Sequence, residues 1–259
     1  MTPDGQGDGP LNSDPTARLA EFLSVGDTKQ NLPGVRIRDA ATMLLIDRSG
    51  ASPKVLLGRR HHGHKFMPGK FVFPGGRVER DDRRMSAASP LDPRVEARLM
   101  REVRYPSPGK ARGFPLAAIR EVFEETGLVL GVARDAPMTP PNAEWAAFAK
   151  WGIHPDLGAV HFIARAITPP GRTRRFDTRF FALDAHAITA RVDGVVTAES
   201  ELVELVWLDI EDSLELDMPG ITRAVLEELK LRTAAGFTHD LPVPYYRMQR
   251  NKRVREMLA

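Results

Sequence analysis

Residues 120–128 read Arg-Glu-Val-Phe-Glu-Glu-Thr-Gly-Leu and carry more structural information than any other stretch of this 259-residue chain. On a helix, Glu121 lies three and four positions before Glu124 and Glu125, so the three carboxylates share one face. Gly127 follows, and glycine best tolerates the left-handed conformation beyond a helix C terminus. The sequence therefore predicts an amphipathic helix over residues 115–126 with an acidic face near its end.

This placement of three carboxylates is unfavourable unless a cation is bound. The C-terminal end of a helix is the negative pole of its dipole, and the three charges also repel each other. A hard divalent ion relieves both effects, and oxygen-only ligands favour Mg²⁺ or Mn²⁺. The competing interpretation is a solvated helix face on which Arg120 and Glu124 form an exposed i,i+4 pair worth a few tenths of a kcal/mol.

A glycine turn upstream favours the metal interpretation. Phe73-Pro74-Gly75-Gly76 follows a short strand-like segment, and the two features together are rarer by chance than either alone. The combination resembles the Nudix family, whose signature is Gly, five residues, Glu, seven residues, Arg-Glu, an apolar residue, any residue, Glu-Glu, any residue, Gly and an apolar residue. Gly76 matches the first glycine, and residues 120–128 match the second half completely.

Two departures from the signature stand out. Asp82 occupies the position of the first glutamate, and 43 residues separate Gly76 from Arg120 where the signature has 13. Residues 83–113 account for the excess and are strongly basic, with eight Lys or Arg against three acidic residues. Within them, Asp92 can cap a helix that has Pro93 at its first position, and Val95, Leu99 and Val103 recur at helical spacing. The segment is predicted to be an inserted amphipathic helix.

The resemblance implies a role for each residue of the box. Glu121, Glu124 and Glu125 would hold the metal and activate water, Arg120 would orient them by salt bridge, and the carbonyl of Gly76 would be a further metal ligand. The resemblance leaves open which glutamate is the general base.

Further candidates lie outside the box. The resemblance also implies a fourth acidic ligand on a later strand or loop, for which Glu201 is the candidate and Glu204 the runner-up. For each, an ordinary surface carboxylate is an equally good interpretation. Arginine forks suit phosphate oxygens, so Arg59, Arg60 and Arg179 are predicted to bind substrate. Arg174 and Arg175 are candidates of the same kind. A structural pairing of Asp177 with one of these arginines is the competing explanation.

The rest of the chain predicts an α+β protein, a Nudix-type α/β/α sandwich with a mixed sheet and a helical insertion. Residues 40–46 and 54–58 are predicted to pair as antiparallel strands. Residues 158–168, 178–183 and 202–208 are strand-like, and residues 221–233 are helical. The predicted organisation is a disordered N-terminal arm at 1–33, a domain at 34–240 and a basic tail at 241–259.

Composition limits the possible functions. The chain has no cysteine, which excludes disulfides and thiolate chemistry. Its 37 Lys and Arg against 34 Asp and Glu give a net charge of +3, too weak to indicate nucleic-acid or membrane binding. No secretion signal or membrane span is recognisable, so a cytoplasmic protein is predicted. A small nucleotide-derived substrate is the expected partner, and a homodimer stays open.

The predicted function is Mg²⁺- or Mn²⁺-dependent hydrolysis of a pyrophosphate bond. A split box with Phe-Pro-Gly-Gly at 73–76 and the stretch 175–181 resembles the coenzyme A diphosphatase branch, which implies coenzyme A or acyl-CoA as substrate. ADP-ribose and other nucleotide pyrophosphates, RNA caps, and a ligand-sensing regulator without turnover are the alternatives.

Overall fold

A mixed β-sheet forms the centre of the computed structural model, which describes residues 34–63, 67–250 and 252–258. Nine of the described strands form this sheet in the order β11-β2-β1-β9-β8-β12-β13, with β3 beside β2 and β4 beside β1. β1 pairs with β9, and β12 with β8, in parallel; the other pairs are antiparallel. The strands are β1 Ile37–Asp47, β2 Lys54–Arg60, β3 Phe71–Val72, β4 Gly75–Arg77, β5 Leu128–Leu130, β6 Val132–Ala133, β7 Ile153–His154, β8 His161–Ile167, β9 Arg175–Asp184, β10 Ile188–Arg191, β11 Leu202–Asp209, β12 Val243–Gln249 and β13 Lys252–Leu258.

The helices cover both faces of this sheet. They are α1 Pro93–Met100, α2 Pro108–Thr126, α3 Ala146–Lys150, α4 Ile210–Ser213 and α5 Gly220–Ala234, with short 3-10 turns at Asp82–Arg84 and Ala185–Ala187. β5 pairs with β10, and β6 with β7, in two small separate sheets. In the part of the chain that the structure describes, no helix combines the length and the apolar character needed to cross a bilayer.

Strand β1 shows why two helical layers form. Its side chains alternate between faces, as the twofold period of a strand requires. Met43 and Leu45 enter the core that contains α2, the helix with the three glutamates, whereas Leu44 and Ile46 enter the core that contains α5. An apolar strand buried on both faces needs cover on both faces, which confirms the predicted α+β sandwich.

Several predicted elements agree with the structure. The strands predicted at 40–46 and 54–58 are the antiparallel pair β1 and β2. The strand-like segments at 158–168, 178–183 and 202–208 contain β8, β9 and β11, and the helix predicted at 221–233 is α5. The predicted N-terminal arm at 1–33 lies outside the described residues.

The C-terminal segment differs from its prediction. The basic tail predicted at 241–259 is wrong, because β12 and β13 extend the central sheet beyond β8. Tyr245 and Tyr246 are both buried, one in each core, and Val243 is fully covered. The basic residues of this segment masked the alternation of apolar side chains that lets a strand enter the sheet.

The basic segment at 83–113 also differs from its prediction. Helix α1 is confirmed, and the Asp92 carboxylate accepts a hydrogen bond from the Arg94 backbone N–H at 2.9 Å. However, Ser107 and Pro108 start α2, so the segment ends within the same helix that carries the glutamates. The predicted start at Pro115 is wrong because a second proline seven residues earlier supplies the same N-terminal signal.

The interior of this segment is part of the main core. Met85, Leu91, Val95 and Leu99 are buried together with the apolar side of α2. If the segment were a detachable surface insertion, other parts of the chain would cover the apolar side of α2. We therefore expect removal of residues 84–112 to unfold the protein, because it would expose the core against which α2 packs.

Leu99→Ala tests this packing without altering the chain length. Leu99 is 2% exposed, so truncation should leave a cavity and lower the free energy of unfolding by about 2–5 kcal/mol. Glu96→Ala on a more open side of α1 is the matched control and should cost no more than about 0.5 kcal/mol. Urea unfolding monitored by circular dichroism measures both changes. Equal midpoints for the two variants would show that α1 lies outside the cooperative core.

Candidate active site

The end of helix α2 places the glutamates. Gly127 adopts a φ of 74° and donates its N–H to the carbonyl of Phe123 at 2.8 Å. A Cβ at Gly127 would lie 2.2 Å from the carbonyl oxygen of Val192, so a larger residue fails on space as well as on conformation. The helix therefore ends where the sequence predicts, with Glu124 and Glu125 in its last turn.

The glycine turn contacts two of these glutamates directly. Gly76 lies opposite Ala41 in the pairing of β4 with β1, and a Cβ on Gly76 would lie 2.4 Å from the Glu121 carboxyl carbon. The backbone N–H of Gly75 donates to Glu125 Oε2 at 3.0 Å. Two consecutive glycines thus let the acidic face of α2 lie against the backbone of β4.

Arg120 joins the helix, the glycine turn and the segment that follows it. Its side chain is 2% exposed and donates from Nε to Asp82 Oδ1 at 2.8 Å and from Nη2 to Asp82 Oδ2 at 3.2 Å. Nη2 also donates to the Arg77 carbonyl at 2.9 Å, while Nη1 donates to Glu121 and Glu124 at 2.9 and 3.0 Å. The interpretation of Arg120 and Glu124 as an exposed surface pair is therefore wrong.

Asp82 has a structural role that its sequence position only hinted at. It is fully buried, and besides Arg120 it accepts a hydrogen bond from the backbone N–H of Glu79 at 2.7 Å. The residue that departs from the signature thus anchors the buried guanidinium. In the sequence, the signal for this role was the position of Asp82 within the box. That position does not indicate that Arg120 is its partner.

The pairing of β2 with β11 brings Glu201 to the site. Leu202 lies opposite Arg60, and Arg60 Nη2 lies 3.0 Å from Glu201 Oε1. Burial, together with the charges of Glu201 and Glu121, raises the pKa of Glu125 well above its ordinary value. Glu204 instead pairs with Arg59, Oε2 to Nε at 2.7 Å. Of the two candidate fourth ligands, the geometry favours Glu201.

Burial, together with neighbouring negative charge, raises the pKa values of the other two glutamates as well. Burial raises the pKa of Glu121 to about 7, and the charge of Glu124 adds to the effect while Arg120 opposes it. Burial also raises the pKa of Glu124, with Glu144 and Glu79 contributing in the same direction. Two poorly solvated acids, Glu121 and Glu125, therefore lie beside the more exposed Glu124 and Glu201, with Arg120 and Arg60 as counter-charges.

These residues fit a hard divalent cation by donor chemistry. All the donors are carboxylate or carbonyl oxygens, and Glu125 is a desolvated acid with another acid beside it. Within the described ranges, no three acidic or histidine side chains already converge as a ready-made metal cage. Glu121 and Glu124 both accept hydrogen bonds from Arg120, which explains their orientation.

The predicted substrate arginines occupy different environments. Arg59 and Arg60 lie at the end of β2 and pair with Glu204 and Glu201. Arg179 is 1% exposed. Its guanidinium lies 2.6 Å from Asp39 and 3.2 Å from Asp177 and stacks over the Phe114 ring. For Arg179 the geometry favours the structural pairing with Asp177 over contact with a substrate.

The two remaining arginine candidates lie outside this group. Arg175 donates from Nε to the Thr168 carbonyl at 3.1 Å, and Arg174 is exposed in the turn before β9. Neither hydrogen-bonds to the glutamates of α2.

Comparison with known proteins gives relatives of one kind. No family model matches the chain. It is 28% identical over 243 residues to the acyl-coenzyme A diphosphatase NUDT19 of Gallus gallus, covering 69% of this chain and 62% of the relative. It is 25% identical over 190 residues to a Caenorhabditis elegans protein named as nudix hydrolase 7, covering 69% and 53%. The chain thus spans less than two thirds of the length of either relative.

A solved structure supports the same fold. The crystal structure of a NUDIX hydrolase from Alicyclobacillus acidocaldarius matches with a TM-score of 0.55 at 28% identity, covering 74% of this chain and 90% of that one. The mixed sheet between helices is a Nudix-type fold, and the glutamates around Arg120 lie where the Nudix signature has them. Among Nudix hydrolases, the chain resembles the coenzyme A diphosphatase branch.

Proposed function

We propose that this protein is a divalent-metal-dependent hydrolase that cleaves a pyrophosphate bond in a nucleotide-derived substrate. The observation that carries the proposal is the assembly around Arg120, which holds Glu121 and Glu124 beside the glycine turn. A binding protein without turnover does not need the complete set of carboxylates. That argues against the alternative of a ligand-sensing regulator.

Four carboxylates would hold the metal in this proposal: Glu121, Glu124, Glu125 and Glu201. The Gly76 carbonyl stays a proposed further ligand. A bound Mg²⁺ or Mn²⁺ supplies Lewis acidity at the phosphoryl oxygens and lowers the pKa of water.

The protein's own side chains provide orientation and proton transfer. Arg120 fixes Glu121 and Glu124 relative to the helix, and the Gly75 N–H fixes one oxygen of Glu125. The glutamates not engaged with the cation are available to accept a proton from the attacking water. The assignment of the base among them stays open.

Coenzyme A or an acyl-CoA is the substrate that we propose first. The support is the resemblance to the Gallus gallus acyl-coenzyme A diphosphatase. ADP-ribose and other nucleotide pyrophosphates are the second candidates within the same chemistry. The RNA-cap alternative draws on the basic segment 83–113 and on a basic C-terminal tail, and β12 and β13 remove that tail as a free element.

A substrate panel tests this proposal. The purified protein is incubated with Mg²⁺ or Mn²⁺ and coenzyme A, acetyl-CoA, ADP-ribose or a capped RNA, and the products are identified by mass. Adenosine 3′,5′-bisphosphate and a phosphopantetheine fragment are expected from coenzyme A. If no compound is cleaved with either metal, the proposal is overturned. If ADP-ribose is cleaved faster than coenzyme A and acetyl-CoA, ADP-ribose replaces coenzyme A as the proposed substrate.

The fourth ligand gives a paired prediction. Glu201→Gln should raise the Mg²⁺ concentration needed for half-maximal activity by about tenfold or more, because an amide binds a hard cation poorly. Glu204→Gln is the matched control, because Glu204 lies three residues after Glu201 and accepts a hydrogen bond from Arg59 instead of Arg60. It should leave the Mg²⁺ requirement unchanged. Metal titrations of initial rate measure both, and the reverse ranking would assign Glu204 as the ligand.

A further inference from the structure

An arginine-lined cavity lies beside the glutamate site. It has a volume of about 530 Å³ and is bordered by the start of β1 and by the segment that follows the glycine turn. Its charged lining consists of Arg36, Arg38, Arg77 and Arg80 together with Asp39 and Glu79. Four positive charges thus face two negative ones.

The four arginines are available to a ligand. All four are exposed, and in the described ranges of the chain no carboxylate forms an ion pair with any of their guanidinium groups. Asp39 is engaged elsewhere, with Arg179 at 2.6 Å. The four arginines differ in this respect from Arg59 and Arg60, which the sequence predicts as phosphate contacts and which form ion pairs with Glu204 and Glu201. We call these four side chains the arginine cluster.

The arginine cluster converges because of strand register. Ala40 lies opposite Arg77 in the pairing of β1 with β4, so their side chains share one face of the sheet. Arg38 precedes Ala40 by two residues and lies on that face as well.

The cavity lies next to the proposed active site, along the segment that follows the glycine turn. Arg77 directly follows Gly76, and its carbonyl accepts a hydrogen bond from Arg120 at 2.9 Å. Glu79 lines the cavity, and its charge contributes to the raised pKa of Glu124. Arg38 and Arg77 leave the sheet on the face opposite α2, so a ligand that joins the two sites passes around β4.

We propose that the arginine cluster binds a phosphate monoester of the substrate, at a point separate from the pyrophosphate that is cleaved. Guanidinium forks match pairs of phosphate oxygens, and a cavity of this volume suits part of a small molecule. The statement that this phosphate belongs to the substrate rests on the proposed function. The binding of a phosphate monoester does not.

Calorimetry with the full chain tests the binding. The probes are adenosine 3′,5′-bisphosphate, adenosine 5′-monophosphate and inorganic phosphate, without divalent cations. The bisphosphate should bind about tenfold to a hundredfold more tightly than the monophosphate, since charge-assisted contacts add at the second phosphate. Arg38→Ala and Arg77→Ala should each reduce that ratio to within about threefold of one.

Lys54→Ala is the matched control for loss of one positive charge. Lys54 is exposed and lies opposite Asp47 in the pairing of β1 with β2. Asp47 is at the far end of β1, about 30 Å from Arg38 if each strand residue advances about 3.3 Å. It should keep the bisphosphate preference. An equal loss of preference in Lys54→Ala, or none in the two arginine variants, would overturn the proposal. Inorganic phosphate binding as tightly as the bisphosphate would overturn the assignment to a substrate.

Kinetics separate this inference from the proposed function. The ratio of kcat/KM for coenzyme A to that for 3′-dephospho-coenzyme A should be about tenfold or more in the native protein and close to one in Arg38→Ala and Arg77→Ala. If neither compound is cleaved but the calorimetric preference depends on the arginines, the proposed function fails and the arginine cluster stands. If both are cleaved at equal rates by the native protein, the arginine cluster fails and hydrolysis stands.

Discussion

Glu124→Gln and Glu125→Gln are each expected to lower turnover at least about a hundredfold, because an amide is a poor ligand for a hard cation. The two substitutions keep side-chain size and one oxygen that can accept a hydrogen bond. In the Glu125 variant the amide oxygen can still accept the hydrogen bond that Gly75 donates. Initial rates at saturating Mg²⁺ measure the effect.

A stability measurement on the same variants separates function from folding. Glu125 is a buried acid whose pKa is raised, so a neutral amide removes an ionisable group that burial disfavours. The thermal midpoint of Glu125→Gln should therefore stay equal to that of the native protein or rise. Glu227→Gln on α5, across the sheet, is the control and should change neither rate nor midpoint. Near-normal rates in both Glu124→Gln and Glu125→Gln would remove the assigned site.

The second large effect is expected at Asp82. Asp82→Ala leaves the Arg120 guanidinium buried without the partner that holds two of its nitrogens, which should cost about 3–5 kcal/mol of unfolding free energy. Turnover should fall too, because Arg120 also positions Glu121 and Glu124.

The neighbouring aspartate supplies the control for this prediction. Asp81 forms a partly exposed pair with Arg84 at 3.1 Å, so Asp81→Ala should cost about 0–1 kcal/mol. Chemical denaturation of the two variants under identical conditions gives the comparison. A loss below about 1 kcal/mol for Asp82→Ala would show that Arg120 is held adequately by its remaining acceptors.

Local signals in the sequence were sufficient for the box helix. The spacing of Glu121, Glu124 and Glu125 and the stop at Gly127 depend on helical period and on one residue's conformational freedom, both of which are properties of a few adjacent residues. The end of α2 was therefore predicted correctly. Its start was not, because Pro115 and Pro108 carry equivalent local signals and only packing of Ala111 and Phe114 in the core distinguishes them.

The partners of the site residues required the tertiary structure. Asp82 lies 38 positions before Arg120, and Glu201 lies far beyond Arg60 in the sequence, so no local period relates the members of either pair. The register of β11 on β2 brings the second pair together. Likewise Arg38 and Arg77 share a face only because β4 pairs with β1.

Residue types and their spacing were enough to establish the available chemistry: oxygen ligands without cysteine, an acidic helical face, and a glycine turn that can lie against it. The tertiary structure decided which charges are neutralised internally and which stay open to a ligand. Arg179 is buried and pairs with Asp177, whereas Arg77 is exposed and lines a cavity. The reason is physical: a residue type fixes charge and shape, but burial and ion pairing depend on strand register between segments distant in the chain.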